Sequence, residues 1–529
     1  MLQWLTVFTV LCCVFNFSIL GCAHHTQTSN ESPKNTAKAS SQRPGKRFFR
    51  VGTAGAHEQN PAIVPSVEKS AIVVCEVKNP ENPDDIDLYA QRFSREGDPL
   101  WDKSRRVATA TAREARPRLL PDGEGGAFVV FDATYNEGKH AGDRDIAAQR
   151  ITAEGRLLWE NGETSVIVAG SHALERNPAM VADGEGGLVV VFERKFLVGL
   201  QQGEADVMAQ RVSADGKKLW GGGRTSVPVS NTTHLERAPA VVTDGSGGFI
   251  VVNELEPAKG KHAGDVDLVA QRLNRRGERT WHEGSQAVLV ADTPLSERNP
   301  VAVTDGAGGM IVVFEAKKRL EKDQGHLNIA AQRIAPNGQR QWTDGRAFAT
   351  VSAAKPLQER LPVVLSDGDG GVFVFFQSIC PDTSRKGDID LYAQRLSDEG
   401  VRMWNAAKHA TRIAGSNAVE KSPCAVRLDD GSVLLAYEGL AAASKKEKSK
   451  PGGNIVLQRV FASGRLAWPK GLLLDGQRWG TDTLQNPALA ADGRGNGTVV
   501  FEMVVKSGVH AGDTDIAGHF MPVQKIGSH

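Results

Sequence analysis

Short apolar segments alternate with glycine-rich polar turns along most of the chain. In one such stretch, Pro178–Ala182 is apolar and Asp183–Gly187 contains adjacent glycines, which supply the positive φ that a tight turn demands. Leu188–Glu193 is a continuous apolar and β-branched run, as expected of a strand buried on both faces. After a polar loop, Asp206–Ser213 and Lys218–Val229 predict a third and a fourth strand. The pattern therefore predicts a module of four antiparallel strands.

This module recurs eight times, and one proline marks each copy. The spacings between successive marker prolines are 56, 61, 61, 61, 62, 61 and 64 residues. A regular period of this size indicates an array of supersecondary units, none of which can bury its own faces alone. Four antiparallel strands are typical of one β-propeller blade, so we expect an all-β fold with eight four-stranded blades. The marker prolines are Pro61, Pro117, Pro178, Pro239, Pro300, Pro362, Pro423 and Pro487.

The two ends of the array predict how it closes. The eighth module reads through three strands and stops at Asp515–Val523 without a fourth. Residues 47–61 are similar to the end of the third module, between Trp220 and Pro239, which contains the fourth strand. We therefore expect residues 47–53 to supply the outer strand of the last blade. Such sharing closes the ring and removes exposed sheet edges.

The N-terminus has a different pattern. The first 21 residues contain no charged side chain, and Leu5–Leu20 is almost wholly apolar. The run ends in Ile19-Leu20-Gly21-Cys22, which resembles the lipobox of bacterial lipoproteins. The resemblance implies cleavage before Cys22 and attachment of a diacylglycerol to its thiol. An ordinary secretory signal and a membrane anchor are the alternatives.

These features divide the chain into four segments. We expect a lipoprotein signal peptide over residues 1–21 and a flexible tether over residues 22–46, whose polar sequence lacks an apolar period. The β-propeller follows over residues 47–523, and residues 524–529 form a C-terminal tail. The expected location is the bacterial cell envelope, where the lipid anchors the protein in the outer membrane. The expected partners are that membrane and an envelope protein or glycan.

Composition and cysteine usage narrow the class of protein. Sixty-three basic residues against 62 acidic ones give a net charge of +1, which gives no indication of a nucleic-acid partner. An exported domain stapled by disulfides would contain more cysteines in even pairs. We therefore interpret the three cysteines of the repeats as small buried or loop residues. Cys12, Cys13 and Cys22 lie in or at the end of the signal, and Cys75, Cys380 and Cys424 lie in three different modules.

Residues present in nearly every module are expected to hold the blades together. The aspartate of each Asp-Gly-x-Gly-Gly turn is interpreted as turn chemistry, because one carboxylate per turn falls short of a calcium loop. One tryptophan per blade is expected to wedge against the neighbouring sheet. The arginine of each Ala-Gln-Arg segment is expected to pair with an acidic residue of the second strand, such as Glu193, since unpaired charges there would be costly. The repeated residues are Trp101, Trp159, Trp220, Trp281, Trp342, Trp404 and Trp468, and Arg92, Arg150, Arg211, Arg272, Arg333, Arg395 and Arg459.

Two further sets of polar residues are expected near the mouth of the central channel. The first is a Glu-Arg pair before the marker proline, which could present charge to a ligand or brace neighbouring blades. The second is a His-Ala-Gly-Asp loop in three modules that lie a quarter turn apart, too far for one metal ion with bonds of about 2 Å to join. We therefore predict no metal, cofactor or catalytic residue. The candidate binding face comprises Glu175, Arg176, Glu236, Arg237, Glu297, Arg298, His140, Asp143, His262, Asp265, His510 and Asp513.

The repeat resembles a known class of exported bacterial β-propellers. Leu391-Tyr-Ala-Gln-Arg395, with Gly400 and Trp404, is similar to the Asp-Ile-Tyr-Ala-Gln-Arg … Gly … Trp repeats of uncharacterised lipoproteins in that class. The order of strand, turn glycine and tryptophan is also similar to pyrroloquinoline quinone-type repeat lipoproteins, which implies a scaffold in outer-membrane protein assembly. Both resemblances imply the fold and export rather than an activity.

Two functions are compatible with these observations. We expect a non-catalytic, envelope-anchored propeller that acts as a protein- or glycan-binding scaffold, because propellers present broad faces and function must be argued from a site. The alternative is an extracellular polysaccharide hydrolase or lyase with acidic residues at the channel mouth. Glycoside cleavage needs two carboxylates at a defined separation, and no pair stands out from the repeat.

Overall fold

The structure is a computed structural model, and its regular elements are β-strands and one-turn 3₁₀ helices, so the fold is all-β as predicted. The strands form five four-stranded antiparallel sheets and one sheet of twelve strands, in which single parallel bridges join three consecutive four-stranded units. We number the units from the first to the eighth in chain order. The residues described are 48–50, 57–79, 82, 84–108, 112–135, 142–196, 203–230, 232–257, 265–291, 293–318, 327–345, 348–352, 358–379, 388–415, 419–440, 453–474, 483–504 and 512–522.

Each unit begins with a long strand that carries the marker proline, and the first seven units end with a short outer strand. β1 (Phe48–Arg50) precedes the first unit. The first two units contain β2 (His57–Ser66), β3 (Ser70–Lys78), β4 (Ile86–Phe93), β5 (Arg105–Arg106), β6 (Ala112–Pro121), β7 (Ala127–Tyr135), β8 (Arg144–Ile151) and β9 (Val166–Ala169). The third and fourth contain β10 (Leu174–Ala182), β11 (Leu188–Lys195), β12 (Ala205–Val212), β13 (Val227–Ser230), β14 (Leu235–Thr243), β15 (Phe249–Glu256), β16 (Asp267–Leu273) and β17 (Val288–Leu289).

The remaining units repeat this order. The fifth and sixth contain β18 (Leu295–Thr304), β19 (Met310–Lys318), β20 (Leu327–Ile334), β21 (Ala349–Thr350), β22 (Gln358–Ser366), β23 (Val372–Ile379), β24 (Ile389–Leu396) and β25 (Thr411–Ala414). The seventh and eighth contain β26 (Val419–Arg427), β27 (Val433–Leu440), β28 (Gly453–Val460), β29 (Leu472–Leu474), β30 (Thr483–Ala491), β31 (Gly497–Val504) and β32 (Thr514–Met521). The 3₁₀ helices are Val67–Lys69, Trp159–Gly162, Gly221–Gly223, Trp281–Gly284, Trp342–Gly345 and Asn405–Ala407.

The first strand of the third unit starts earlier than predicted. β10 begins at Leu174 and passes through Pro178, because a β-bulge shifts its register against β11 between Arg176 and Ala179. Proline has no N–H to donate, so a bulge is one of the few places where a paired strand tolerates it. Each first strand has the same bulge at its marker proline.

The outer strand of the same unit is shorter than predicted. β13 contains Val227–Ser230 only, whereas Lys218 forms an isolated bridge with Val212. The 3₁₀ turn at Gly221–Gly223 separates the two segments, because its glycines have positive φ values that a strand cannot contain.

Neighbouring units pack face to face through apolar side chains. The core between the first and second units includes Val74 and Trp101 from one unit and Phe131 from the other. Second strands are buried on both faces: residues 188–193 of β11 are all buried. The first strands of consecutive units contact each other in succession from β2 to β30.

The first and last units are also in contact. β1 pairs antiparallel with β32, with Phe48 opposite His519, as predicted for the N-terminal strand. β30 contacts β2, and Ile63 of the first unit shares an apolar core with Val500 and Ile516 of the eighth.

The described cysteines carry free thiols. Cys75 is buried and Cys424 is partly buried. Cys380 lies outside the described residues, as do Cys22 and the segments predicted to be a signal peptide, a tether and a C-terminal tail. Within the described ranges, no helix has the length and apolar character required to cross a membrane.

Candidate functional site

Glutamates of the second strands join most units to the next. Glu193 accepts a hydrogen bond from the backbone N–H of Ala238 in the following unit, at 2.7 Å. Glu254 accepts the N–H of Asn299 in the same way, also at 2.7 Å. The donor residue always precedes the marker proline. These donors have φ between 49° and 55°, because the bulge turns their N–H away from their own sheet. The strand acids are therefore part of the frame.

The Ala-Gln-Arg arginines have different partners from those expected. Arg211 is 2.9 Å from Asp183 of its own glycine turn, and both side chains are buried. The pairing with Glu193 is wrong because Arg211 lies opposite Val189. Glu193 is four residues further along that strand, about 13 Å away at about 3.3 Å per residue. The same pairing joins Arg150 to Asp122, Arg272 to Asp244, Arg333 to Asp305 and Arg395 to Asp367.

The turn aspartates also organise their own loops. Asp183 accepts the backbone N–H groups of Glu185 and Gly187, at 2.7 and 2.8 Å, through the oxygen that does not face Arg211. Both carboxylate oxygens are thus engaged within the protein. The first and seventh units lack this aspartate, and there Arg92 and Arg459 donate to the hydroxyls of Ser70 and Ser432.

The repeated tryptophans wedge against the neighbouring unit. Trp159 is fully buried, and its indole N–H donates to the carbonyl of Ala214 in the next unit at 3.0 Å. A Cβ added to Gly216 would lie 2.7 Å from this ring, so only glycine fits beneath it. Trp468 is partly buried against the core of the seventh and eighth units. The same indole contact joins Trp101 to Ala153, Trp220 to Arg275, Trp281 to Pro336, Trp342 to Asp398 and Trp404 to Ala462.

The glutamates before the marker prolines lie in the interior. Glu175, Glu236 and Glu297 are at most 1% exposed, so their carboxylates do not form part of an exposed face. Glu236 accepts the backbone N–H of Val207 in the preceding unit at 3.2 Å. Glu175 accepts the hydroxyl of Ser171 at 2.5 Å, and burial raises its pKa to about 7. These contacts favour bracing between units over ligand binding.

The arginines that follow these glutamates are partly buried and mostly paired. Arg176 lies 2.7 Å from the strand acid Glu193. Arg237 forms an ion pair with Glu256 at the end of β15, and Arg298 donates to the hydroxyl of Ser296 at 3.3 Å. Arg176 and Arg237 thus neutralise acids of their own units rather than present unpaired charge.

The His-Ala-Gly-Asp loops are only partly described. Asp143, Asp265 and Asp513 are partly buried, whereas His140, His262 and His510 lie outside the described residues. Asp143 lies 3.7 Å from His172, and Asp513 lies 3.4 Å from His57. Among the described residues, no group of three or more His, Cys, Asp or Glu side chains could hold a metal ion.

A cavity of about 670 Å³ lies between the sixth and seventh units. Gly439 of β27 and Tyr437 line this cavity. The third unit has Arg194 at the position of Gly439. Glu420 is the one carboxylate among the described residues that line the cavity. Hydrolysis of a glycoside by a protein carboxylate pair would require a second.

The second unit departs from the repeat on its first strand. Arg113, Arg116 and Arg118 occupy positions of β6 where none of the other units has an arginine or lysine. Arg144, at the start of β8, stands where the other third strands have Ile86, Ala205, Val266, Leu327, Ile389, Gly453 and Thr514. We call these four residues the arginine cluster. The unit also has Asp132 where most others have glutamate as the strand acid.

The arginine cluster carries an excess of positive charge. Arg116 forms an ion pair with the buried Asp132 and is itself 53% exposed. Arg113 and Arg118 are exposed, and no described carboxylate lies within ion-pair distance of either. Burial, followed by the charges of Arg116, Arg176 and Arg113, lowers the pKa of Arg144. Arg113 and Arg116 thus act electrostatically on Arg144, and Asp132 is the carboxylate paired with Arg116.

Sequence reasoning missed this cluster because it examined what the modules share. Comparison of the eight modules with one another would have found it, at the positions where one module differs from the other seven. Arg118 replaces a small side chain, such as Ala62 in the first unit and Ala179 in the third. A single charged residue in an otherwise apolar column is the pattern to search for.

The chain is remotely similar to several solved structures. No protein-family model matches the chain, and no curated protein matches it. A protein of unknown function from Dyadobacter fermentans is 11% identical with a TM-score of 0.37, covering 77% of this chain and 97% of that one. An ulvan lyase of a polysaccharide lyase family is 13% identical with a TM-score of 0.43, covering 76% and 94%. An α-L-arabinanase from Penicillium chrysogenum is 12% identical with a TM-score of 0.36, covering 66% and 94%. Similarity this low transfers no activity to the chain.

Proposed function

We propose that the eight units are the blades of one closed β-propeller over residues 47–523, completed by the N-terminal strand. Contacts between the chain ends support this. β1 supplies the fourth strand beside β32. The N–H of Asn60 donates to Glu502 at 2.7 Å, the contact that joins neighbouring units elsewhere. The N–H of Ile516 donates to Glu58 at 3.1 Å, as Val207 does to Glu236. In such a ring the first strands line the central channel.

The propeller acts, in our proposal, as a non-catalytic scaffold that binds a glycan or a protein. One contrast carries this proposal. The repeated carboxylates are buried and bonded within the frame, whereas Arg113 and Arg118 are exposed and lack a described partner. A hydrolase acting through carboxylates would need two that a substrate can reach. Exposed cationic side chains are suited to holding an anionic group instead.

Binding and turnover measured together would test the scaffold function. The full-length protein is incubated with acidic and neutral polysaccharides, and native electrophoresis in glycan-containing gels reports retention. Reducing ends and unsaturated products are measured in the same samples. We expect retention without products. Products that accumulate in proportion to protein concentration would overturn the scaffold proposal in favour of a hydrolase or lyase.

The same proposal anchors the propeller in the bacterial envelope through a lipid on Cys22, with the outer membrane as its location. Replacement of Cys22 by serine removes the thiol that the lipid requires. We expect the variant protein to leave the membrane fraction, and wild-type protein to remain there after a salt wash. Continued tight association of the Cys22→Ser variant would contradict anchoring through this residue.

A further inference from the structure

We propose that the arginine cluster binds the carboxylate or sulfate groups of an acidic glycan. This inference rests on the proposed scaffold function and names the ligand class of that site. A guanidinium presents donors in a planar fork that matches a carboxylate or sulfate with two parallel hydrogen bonds. Four guanidiniums with one nearby carboxylate can therefore hold more than one anionic group at once.

The position of the cluster makes these groups available to a ligand. Arg113, Arg116 and Arg118 of β6 are all exposed, whereas Glu114 between the first two is buried. Arg118 stands where the neighbouring first strands have the small residues Ala62 and Ala179. The small neighbours leave its long side chain room on the surface that the first strands share. Arg116 gives part of its fork to Asp132 and keeps the rest exposed.

The surroundings of the cluster suit a sugar chain. The residue before the marker proline is an exposed asparagine in four other units, at the position that Arg116 occupies in the second. Asn177 and Asn299 each donate an amide N–H to a strand acid, and their exposed amide groups can still accept hydrogen bonds from the hydroxyls of a glycan. These asparagines are Asn60, Asn177, Asn299 and Asn486.

The cluster is less suited to a nucleic acid or a protein. Nucleic acids need basic side chains along an extended surface, because their phosphates follow one another along the backbone. Here the exposed arginines of the first strands are confined to one unit, and the whole chain has a net charge of +1. Protein interfaces draw most of their affinity from aromatic and other large anchors. The equivalent positions of the other first strands have small side chains, such as Ala179, Ala240 and Val301.

Other units of the protein supply substitutions that should leave the fold intact. Arg113→Leu and Arg118→Ala introduce the residues found at these positions in the third unit, Leu174 and Ala179. The matched control removes two exposed arginines outside the cluster, by Arg156→Ala and Arg276→Ala. The variant and its control therefore lose the same formal charge.

Calorimetric titration of the full-length protein would test the proposal. The ligands are hexagalacturonate, a dextran sulfate oligomer, neutral maltohexaose and a single-stranded DNA dodecamer. We expect binding of a carboxylated or sulfated glycan that weakens as salt rises, and no binding of maltohexaose. Comparison of the two acidic ligands distinguishes carboxylate from sulfate. The Arg113→Leu/Arg118→Ala variant should bind at least about tenfold more weakly, and the control within about twofold of wild type.

Three results would overturn the proposal. They are maltohexaose binding as tight as that of the acidic glycans, preferential binding of DNA, and an unchanged affinity in the Arg113→Leu/Arg118→Ala variant. The scaffold function fails separately, when products appear in the turnover assay. A protein that binds only neutral glycans keeps the scaffold function and loses this inference.

Discussion

The second and third units have the same frame and different first strands. Both have a buried arginine on the turn aspartate, a tryptophan against the next unit and a buried glutamate before the marker proline. Where the third unit has Leu174, Asn177 and Ala179, however, the second has three arginines. The buried arginine, the tryptophan and the buried glutamate are kept, and the exposed positions of the first strand differ. Within the repeat, the positions that hold the fold together are thus different from the positions assigned to ligand binding.

The strand acids show the same contrast on a smaller scale. Glu193 reaches the N–H of Ala238 in the next unit. Asp132 is one methylene shorter, and its Oδ1 is buried without a hydrogen-bond partner among the described residues. The contact between the second and third units is therefore weaker at Asp132. A second cation, Arg144, lies near this carboxylate.

The largest effect is expected from removing a frame residue of the third unit. Asp183→Ala leaves two backbone N–H groups and the buried Arg211 without their acceptor. We expect a loss of about 2–4 kcal/mol in the free energy of unfolding, because Arg211 keeps Glu185 as its one charged partner. Chemical denaturation followed by tryptophan fluorescence measures this change.

A matched aspartate provides the control for that prediction. Asp215 lies in the outer turn of the same unit and is 59% exposed. Asp215→Ala should change the free energy of unfolding by less than about 0.5 kcal/mol. Equal effects of the two substitutions would contradict the assignment of Asp183 to the frame.

The next largest effect concerns pH. Burial raises the pKa of Glu114 to about 8 and that of Glu175 to about 7, from an ordinary value of 4.5. The folded chain therefore keeps protons that the unfolded chain releases, so stability should fall as pH rises from about 4.5 to 8 and then level off. Each glutamate should contribute about 1–3 kcal/mol to this fall.

Glu175→Gln separates this effect from other titrations. The amide cannot ionise, so the fall in stability between pH 5 and 8 should become shallower than in wild type. Glu399→Gln, at an exposed turn position, should leave the slope unchanged. Melting temperatures across this pH range measure both slopes, and a parallel curve for Glu175→Gln would rule out the buried carboxyl as a source of the pH dependence.

A smaller effect is expected from restoring the junction of the second unit. Asp132→Glu gives the second unit the same side-chain length as Glu193, which reaches the next unit. The longer carboxylate should therefore accept the backbone N–H of Asn177. We expect a gain of about 0.5–1.5 kcal/mol in the free energy of unfolding. The reverse change, Glu193→Asp, should cost a similar amount. A loss of stability in Asp132→Glu would show that the second unit needs the shorter acid.

The sequence predicted the strands, the turns and the pairing of the N-terminal strand, because these follow from local periodicity and from a repeat that can be compared with itself. It misassigned the partner of Arg211. Which acid pairs with Arg211 depends on the register of the strands. Asp183 and Glu193 lie in the same hairpin, so the sequence alone did not distinguish them. It also placed Glu175 on an exposed face, since the bulge that turns the strand at Pro178 was not anticipated. The arginine cluster was overlooked because attention to shared residues hides those that only one copy has.

The smallest effect on stability is expected at the arginine cluster itself. Arg113→Leu and Arg118→Ala replace exposed side chains by residues that the third unit already tolerates. The melting temperature of the double variant should therefore stay within about 2 °C of wild type. A large fall would make these arginines part of the frame.

The central claim is that shared residues build the frame while the unshared arginines of the second unit bind the ligand. Its most direct test is to measure affinity for an acidic hexasaccharide and melting temperature on a variant that carries Arg113→Leu and Arg118→Ala. These changes give β6 the residues that β10 has at the same two positions and leave the ion pair of Arg116 with Asp132 in place. We predict that binding is lost while the melting temperature is retained. Retained binding in this variant, or binding lost only together with the fold, would contradict the claim.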